Sequence, residues 1–317
     1  MDAQDLLRIY RKMMLMRRFE EAAAKAYTER KIGGFLHLYI GQEAVGMGVI
    51  EAMQKQDSVI STYRVHAQYL ARGGTAREGM AELYGKDTGC CRGRGGSMHF
   101  FDAKNNFLGG HAIVGAHIPV AAGAAFASKY RGDNAVTVCF LGEGAMNIGP
   151  FHEGLCLSAL WNLPVVYVVE NNLYAMGTPV SRHMGLDDAS VRALGYPMAR
   201  ATVESTDVLE CYRAAKHAIE RARNESLPFL LEFKTYRYRG HSMADPQTYR
   251  TKEEVQQWRD KDPIKVLRAR IEEEYPDLAA EIKAINASVD DEIADAVRFA
   301  EESPEPDLST VADYTYV

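Results

Sequence analysis

Cysteine is scarce in this chain: Cys90, Cys91, Cys139, Cys156 and Cys211 are five in number and form no C-x-x-C pair. An odd, unpatterned set offers neither a disulfide framework nor a zinc knuckle, and it fits a reducing compartment. Long apolar runs are missing too, so no membrane-spanning segment is expected. The opening stretch MDAQDLLRIYRKMMLMRRFEE scatters charges throughout and does not read as a signal peptide. Excess positive charge is absent: the formal net charge of −6 argues against nucleic acid as a main partner. Internal repeats and low-complexity tracts are lacking as well. What remains is an ordinary globular composition over 317 residues, a length at which α/β folds often form one domain. One domain over residues 1–317 is expected, with a helical C-terminal part from Lys252 packing on it or on a partner subunit. A cytoplasmic location in a bacterial cell is expected.

The chain is organised around Ala135 to Thr178, AVTVCFLGEGAMNIGPFHEGLCLSALWNLPVVYVVENNLYAMGT. Ala135–Leu141 is an apolar, β-branched run that ends at Gly142, and Val165–Val169 is a second that ends at Glu170. Between them Phe151–Trp161 carries apolar residues at helical spacing, and Pro164 marks the restart. Strands this apolar are covered on both faces, which predicts a mostly parallel sheet with helices on either side. A right-handed crossover opens both strand ends on one edge, where ligands bind in open α/β sheets. Gly142-Glu143-Gly144-Ala145 follows the first strand and Glu170-Asn171-Asn172-Leu173-Tyr174 the second. A carboxylate, an amide oxygen and a backbone carbonyl form an all-oxygen set suited to Mg²⁺, with glycines letting backbone N–H groups approach a phosphate. Spacing alone leaves three readings open. They are a metal-bridged diphosphate site, a nicotinamide site with Glu170 gripping a ribose, and a structural turn, because Asn147 stands where a dinucleotide fingerprint has its third glycine.

In chain order, Asp5–Arg30 is predicted as an amphipathic helix ended by Gly33-Gly34, and Gln42–Met53 as a helix preceded by His37. A histidine there is most often structural, although imidazole is the usual acid–base group. Val59–Arg64 reads as a strand ending at Tyr63-Arg64, followed by His66 and a helix carrying Gln68–Arg72. An arginine beyond a strand end suits a diphosphate because its guanidinium is a planar fork. Gly89–His99 is too rich in glycine and arginine for regular structure. It is either a flexible surface loop or a fixed loop near an anion or partner. Phe107–Tyr130 reads as a tight turn and a small-residue helix that would permit close helix contact, within the core or at a subunit boundary. Arg182–Leu194 is polar and helical towards its end, Asp207–Asn224 is a helix, and Pro228–Tyr238 begins as a third buried strand. It leads to Arg237, Arg239 and His241. The charged sequence from Lys252 reads as solvated outer helices, and the tail PEPDLSTVADYTYV is expected to pack across a neighbour.

The GEG turn paired with a later ENN resembles the thiamine-diphosphate motif, with Glu143 where Asp is usual. HLYIGQEA, TYRVHAQYLARG, GRGGSMH, GGHAIVGAHIPVAAGAA, GEGAMNIG, ENNLYAMGT and TYRYRGHSMADPQTYR extend the likeness over essentially the whole chain. The sequence is similar to alpha subunits of the decarboxylating component of 2-oxo acid dehydrogenase complexes, and its last motif resembles the pyruvate members more than the branched-chain or acetoin ones. That resemblance implies the thiamine-diphosphate-binding fold, the cofactors thiamine diphosphate and Mg²⁺, and an α2β2 heterotetramer with a beta subunit. It implies a lipoyl-bearing acyltransferase component as acyl acceptor and a 2-oxo acid as substrate. Carried over, Glu143, Asn172 and the carbonyl of Tyr174 would hold Mg²⁺. Tyr63, Arg64, Gly142, Gly144, Ala145, Arg237 and His241 would line the diphosphate. Backbone groups at Ala112 and Val114 would meet the aminopyrimidine. His37, His241 and, with a weaker case, His66 match histidines near the reacting carbon. The glutamate that activates thiamine belongs to the beta subunit in such proteins. Arg239–Arg250 resembles a loop that is phosphorylated in animal and plant relatives, at the positions of Ser242 and Thr248. Nothing in the sequence points to a kinase, so regulation there is not expected.

Overall fold

Side-chain alternation along three apolar strands sets the architecture. Val138 and Phe140, Val166 and Val168, and Phe229, Leu231 and Phe233 point into one hydrophobic core. Cys139 and Leu141, Val165, Tyr167 and Val169, and Leu230 point into a second. A strand with both faces buried needs helices on both sides, and its neighbours are joined by crossovers, as in parallel sheets. The computed structural model describes residues 1–186 and 188–313. Its strands are β1 (Ser58–Thr62), β2 (Phe107–His111), β3 (Thr137–Gly142), β4 (Val165–Asn171), a short hairpin β5 (Tyr174–Ala175) and β6 (Thr178–Pro179), β7 (Ala199–Glu204) and β8 (Phe229–Lys234). Six of them form one sheet in the order β2-β1-β3-β4-β8-β7, every pair parallel.

The helices are α1 (Ala3–Thr28), α2 (Glu43–Glu51), α3 (His66–Arg72), α4 (Ala76–Leu83), α5 (His117–Arg131), α6 (Gly149–Leu160), α7 (Val180–His183), α8 (Val208–Glu225), α9 (Lys252–Arg259), α10 (Pro263–Glu274) and α11 (Ala279–Glu302). Residues of α1, α2, α4, α8, α10 and α11 enter the first core. Those of α5 and α6 enter the second. Helix α1 starts two residues before its predicted position because Asp2 and Asp5 form a reciprocal capping box. It ends at Thr28, well before Gly33-Gly34.

Within the six-stranded sheet the two strands not anticipated, β2 and β7, are its edges. FLGGH carries only Phe107 and Leu108 as bulky apolar residues, and its glycines serve the backbone. A Cβ on Gly110 would lie 2.6 Å from the Met98 carbonyl oxygen and 3.0 Å from that of Thr62. Strand β7, ARATVE, is half exposed along its length. The C-terminal helices are less solvated than their charge suggests. Helix α11 buries Ile282, Val289, Ile293, Ala296 and Ala300 and is tied to α1 by Tyr10–Asn286 (3.0 Å) and Arg11–Glu292 (2.6 Å). The described part of the tail lies against this chain's own glycine–arginine loop: Asp87 N–H donates to the Pro304 carbonyl at 3.0 Å, and Arg94 to Thr310 at 2.6 Å. Residues 314–317 of the tail lie outside the described residues.

One ion pair joins three elements at the N-terminal edge of the sheet. Asp57, fully buried just before β1, takes both guanidinium nitrogens of Arg223 from α8 at 2.9 and 2.7 Å. It also accepts the backbone N–H groups of Gln54 (2.7 Å) and Val136 (2.9 Å). Asp57→Ala would leave Arg223 uncompensated and is expected to destabilise the fold by about 3–5 kcal/mol. Guanidinium unfolding checks this; a loss under about 1 kcal/mol would show that the pair is not a structural tie.

Candidate active site

The C-terminal ends of β1, β3, β4 and β8 open on a cavity of about 900 Å³. Sequence dictates what each end presents. Strand β1 stops at Thr62, so Tyr63 and Arg64 leave the sheet and turn into the cavity. Strand β3 runs into a tight turn at Glu143, where a Cβ on Gly144 would come within 2.6 Å of the Ala175 Cβ on the β5–β6 hairpin. Strand β4 delivers Asn172, and the segment after β8 delivers Arg237 and His241. The wall between β2 and α5 supplies Ala112 and Val114. Tyr63, Arg64, Ala112, Val114, Gly142, Glu143, Gly144, Ala145, Asn172, Tyr174, Arg237, His37 and His241 thus converge on one cavity.

Its electrostatics are unusual. Arg64 and Arg237 are both buried, yet neither has a carboxylate partner among the described residues. Arg64 donates to the carbonyls of Leu38 and His241. Arg237 donates to the carbonyls of Arg239 and Met176 and to the hydroxyl of Tyr249, each at 3.1 Å, and to Asn172 Oδ1 at 3.4 Å. Burial, together with Arg237, pushes the Arg64 guanidinium down to about 10. Two buried cations that repel one another are stabilised by an anion between them.

Glu143 is the complementary feature. Its Oε2 accepts the Asn172 N–H at 3.4 Å. Its Oε1 is buried with no hydrogen bond among the described residues, and the nearest basic group among them, His183 Nε2, is 3.9 Å away. Burial raises the carboxyl to about 7. Asn172 Nδ2 donates to Gln42 Oε1 at 3.1 Å, which fixes the amide oxygen away from Gln42. An unpaired carboxylate oxygen beside an amide oxygen is a hard donor set that fits Mg²⁺.

Of the four histidines that line the cavity, His37 and His241 are the two expected near the reacting carbon, and both are held neutral. Burial, with Arg64, His241, His66 and Arg237 nearby, pushes His37 down to about 3. Burial, Arg64 and Arg237 push His241 to about 4. Their rings lie 5.2 Å apart, with Tyr63 4.6 Å from His37, and His37 Nδ1 has no partner among the described residues. Asp245 braces the second histidine by accepting its backbone N–H at 2.6 Å and the Tyr249 hydroxyl at 2.7 Å.

His66 is a correction. It is fully buried and does not line the cavity; its Nδ1 lies 3.0 Å from Glu20 and its Nε2 3.0 Å from the Ser97 carbonyl. Both ring nitrogens are committed, so it contacts no reacting group. It supports Ser97, whose hydroxyl accepts the His37 backbone N–H at 3.4 Å. Glu170 likewise grips no ribose: it is buried, accepts from the Tyr39 hydroxyl, and lies 3.4 Å from Gln68 Nε2. The Gly89–His99 loop is fixed, and the anion that fixes it is internal. The buried Glu82 carboxylate accepts N–H groups from Cys91 (2.8 Å), Gly93 (2.9 Å), Gly95 (2.7 Å) and Gly96 (3.1 Å). Residues not singled out from the sequence but found on the cavity wall include Gln42, His111, His117, Asp245 and Tyr249. Gln42 carried no chemical signal of its own, His117 bonds the Phe140 carbonyl 23 residues away, and Asp245 and Tyr249 act by bracing His241 and Arg237.

A carboxylate with an unbonded oxygen and two arginines without carboxylate partners among the described residues, at the C-terminal edge of a parallel α/β sheet, form a cavity suited to an anionic ligand. The chain belongs to the dehydrogenase E1 component family, whose model matches residues 11–309. It is 46% identical over 304 residues to the pyruvate dehydrogenase E1 component subunit alpha of Rickettsia felis, covering 96% of this chain and 93% of that one. To the Rhizobium meliloti protein of the same name it is 47% identical over 307 residues, covering 96% and 88%. To the chloroplastic alpha-3 protein of Oryza sativa it is 44% identical over 322 residues, covering 99% and 76%.

Buried neutral histidines set a pH dependence. His37, His241 and His117, the last pushed by burial to about 4, return towards 6.5 when the chain unfolds. These histidines therefore bind more protons in the unfolded chain below pH 6.5, and the stability they contribute falls as pH drops from about 6.5 towards about 4, opposed by Glu143 and Glu170, whose burial raises both carboxyls to about 7. His117→Gln should flatten that slope by about one proton. Denaturant unfolding across this range measures it, and an unchanged slope would contradict a neutral buried His117.

Proposed function

We propose that this chain is the alpha subunit of a pyruvate dehydrogenase, working in an α2β2 assembly with a beta subunit. The observation that carries the reading is the pair of buried, unpaired guanidiniums facing a carboxylate with an unspent oxygen, which suits a diphosphate bridged by Mg²⁺. The names of the relatives support pyruvate as substrate and the beta subunit as partner. Thiamine diphosphate, when bound, supplies the carbon nucleophile and the electron sink for loss of CO₂ from a 2-oxo acid.

The chain's own residues then divide the work. Glu143, Asn172 and the Tyr174 carbonyl hold Mg²⁺. Tyr63, Arg64, Gly142, Gly144, Ala145, Arg237 and His241 hold the diphosphate, the two arginines losing their mutual repulsion as it enters. The backbone at Ala112 and Val114 orients the aminopyrimidine. His37 and His241 are neutral at pH 7, so each can accept a proton near the reacting carbon. His241 serves transfer of the acyl group to the lipoyl arm of the acyltransferase component. Ser242 and Thr248 line the same cavity, so a phosphate on either would crowd the site.

Need for a second chain has its own support. Among the described residues the cavity's glutamates are Glu143 and Glu170. The first is the one that would hold the cation and the second accepts from Tyr39, which leaves none to activate the pyrimidine. The outer face of α5 and α6 exposes Val120, Phe126, Leu160 and Trp161, an apolar patch suited to a subunit contact. Bacterial relatives support a cytoplasmic location.

Co-purified with the beta subunit, and given thiamine diphosphate and Mg²⁺, the chain is expected to turn over pyruvate in preference to branched-chain 2-oxo acids or acetoin. The chain alone should show little turnover. Robust decarboxylation without a beta subunit, or preference for acetoin, would contradict the reading. His241→Ala should lower lipoyl acylation more than dye-coupled decarboxylation; equal losses would remove its role in transfer.

A further inference from the structure

A second cavity, of about 320 Å³, lies at the opposite edge of the sheet, where β1 and β2 begin. Its wall gathers Lys12 from α1, Lys55 from the turn before β1, Arg72 from the end of α3, and Lys104 from the turn before β2. Among the described residues Glu51 is the one carboxylate that lines it. That carboxylate is already taken, with Arg8 bonded to both its oxygens at 2.7 and 2.5 Å. Asp57 offers this cleft only its backbone carbonyl, which accepts from Arg72, while its carboxylate is turned to Arg223.

Four cations therefore line this cleft against a single carboxylate among the described residues, Glu51, which Arg8 already engages. Arg72 is held rigidly: its Nε donates to the Asn105 carbonyl at 3.0 Å, and its Nη2 to those of Gln54 and Lys55 at 3.1 and 3.0 Å. Its Nη1 has no partner among the described residues. The Lys12 ammonium donates to the Ala71 carbonyl at 3.1 Å and has no ion pair among the described residues. Burial, with Arg8 and Arg72 acting in the same direction, lowers its pKa despite Glu51. Lys55 and Lys104 have no ion pair among the described residues. A chain whose net charge is −6 would scatter four such groups if repulsion alone decided.

We propose that this cleft binds a small phosphate-bearing anion, at a site separate from the cavity at the other edge. Lysine ammoniums act as point charges for phosphate oxygens approaching from several sides, and the prearranged guanidinium adds a directed donor. The volume matches the small end of ligand pockets and admits a diphosphate or a compact phosphorylated metabolite. The occupant would bear directly on the turns that Arg72 holds, which lead into β1 and β2.

Isothermal titration calorimetry of inorganic pyrophosphate into the complete alpha–beta complex tests this, with saturating thiamine diphosphate and Mg²⁺ filling the other cavity. One saturable site per alpha chain is expected, weakened roughly tenfold or more by Lys55→Gln/Lys104→Gln, whose exposed side chains leave the fold intact. Lys12→Gln should weaken it similarly. No saturable binding, or equal affinity in both variants, would overturn the proposal. Tighter binding of a single-stranded oligonucleotide, with the same dependence on these lysines, would also overturn it by making the cleft a nucleic-acid contact.

Discussion

Charge buried without its complement is the constraint on which this structure depends. Arg64 and Arg237 sit within the protein facing carbonyls, an amide and a hydroxyl rather than carboxylates. Glu143 keeps one oxygen unsatisfied nearby. Each such group costs several kcal/mol in a dry interior unless a counter-charge arrives. The parallel sheet explains how one fold supports them together, because strand ends that share an edge bring residues from remote parts of the sequence to one place. Two well-packed cores and ties such as Asp57–Arg223 offset the cost from elsewhere.

Behind the cavity lies a second set of contacts that fixes the first. Glu82 gathers the glycine–arginine loop by its backbone and so positions Ser97. Ser97 in turn meets His66 and the His37 backbone. Asp245 and Tyr249 brace His241 and Arg237. Glu254 on α9 accepts the hydroxyls of Tyr174 at 2.9 Å and Tyr236 at 2.7 Å, linking the charged C-terminal helices to the cavity wall. Many of the polar groups that look superfluous in the sequence serve this positioning.

That division explains what could be read from residues alone. The β3–α6–β4 unit was legible because apolar runs, a glycine turn and a helix restart repeat a strong local pattern. The positions of Glu143, Asn172, Arg64 and Arg237 followed from strand ends, and His37 and His241 from motif likeness. Strands β2 and β7 escaped because edge strands need less apolar sequence than central ones. His66 was misjudged because nothing in its neighbourhood reveals Glu20, which pairs with it from α1. The tail's contact with residues 86–94 of the same chain was not anticipated because it leaves no periodic trace.

The central claim is that the unpaired oxygen of Glu143 awaits a cation that carries the diphosphate. Titration calorimetry of thiamine diphosphate into the alpha–beta complex, with and without Mg²⁺, tests it in the native chain and in Glu143→Ala. The account predicts metal-dependent binding in the native complex and loss of that dependence in the variant. Unchanged, metal-dependent binding by Glu143→Ala would contradict it.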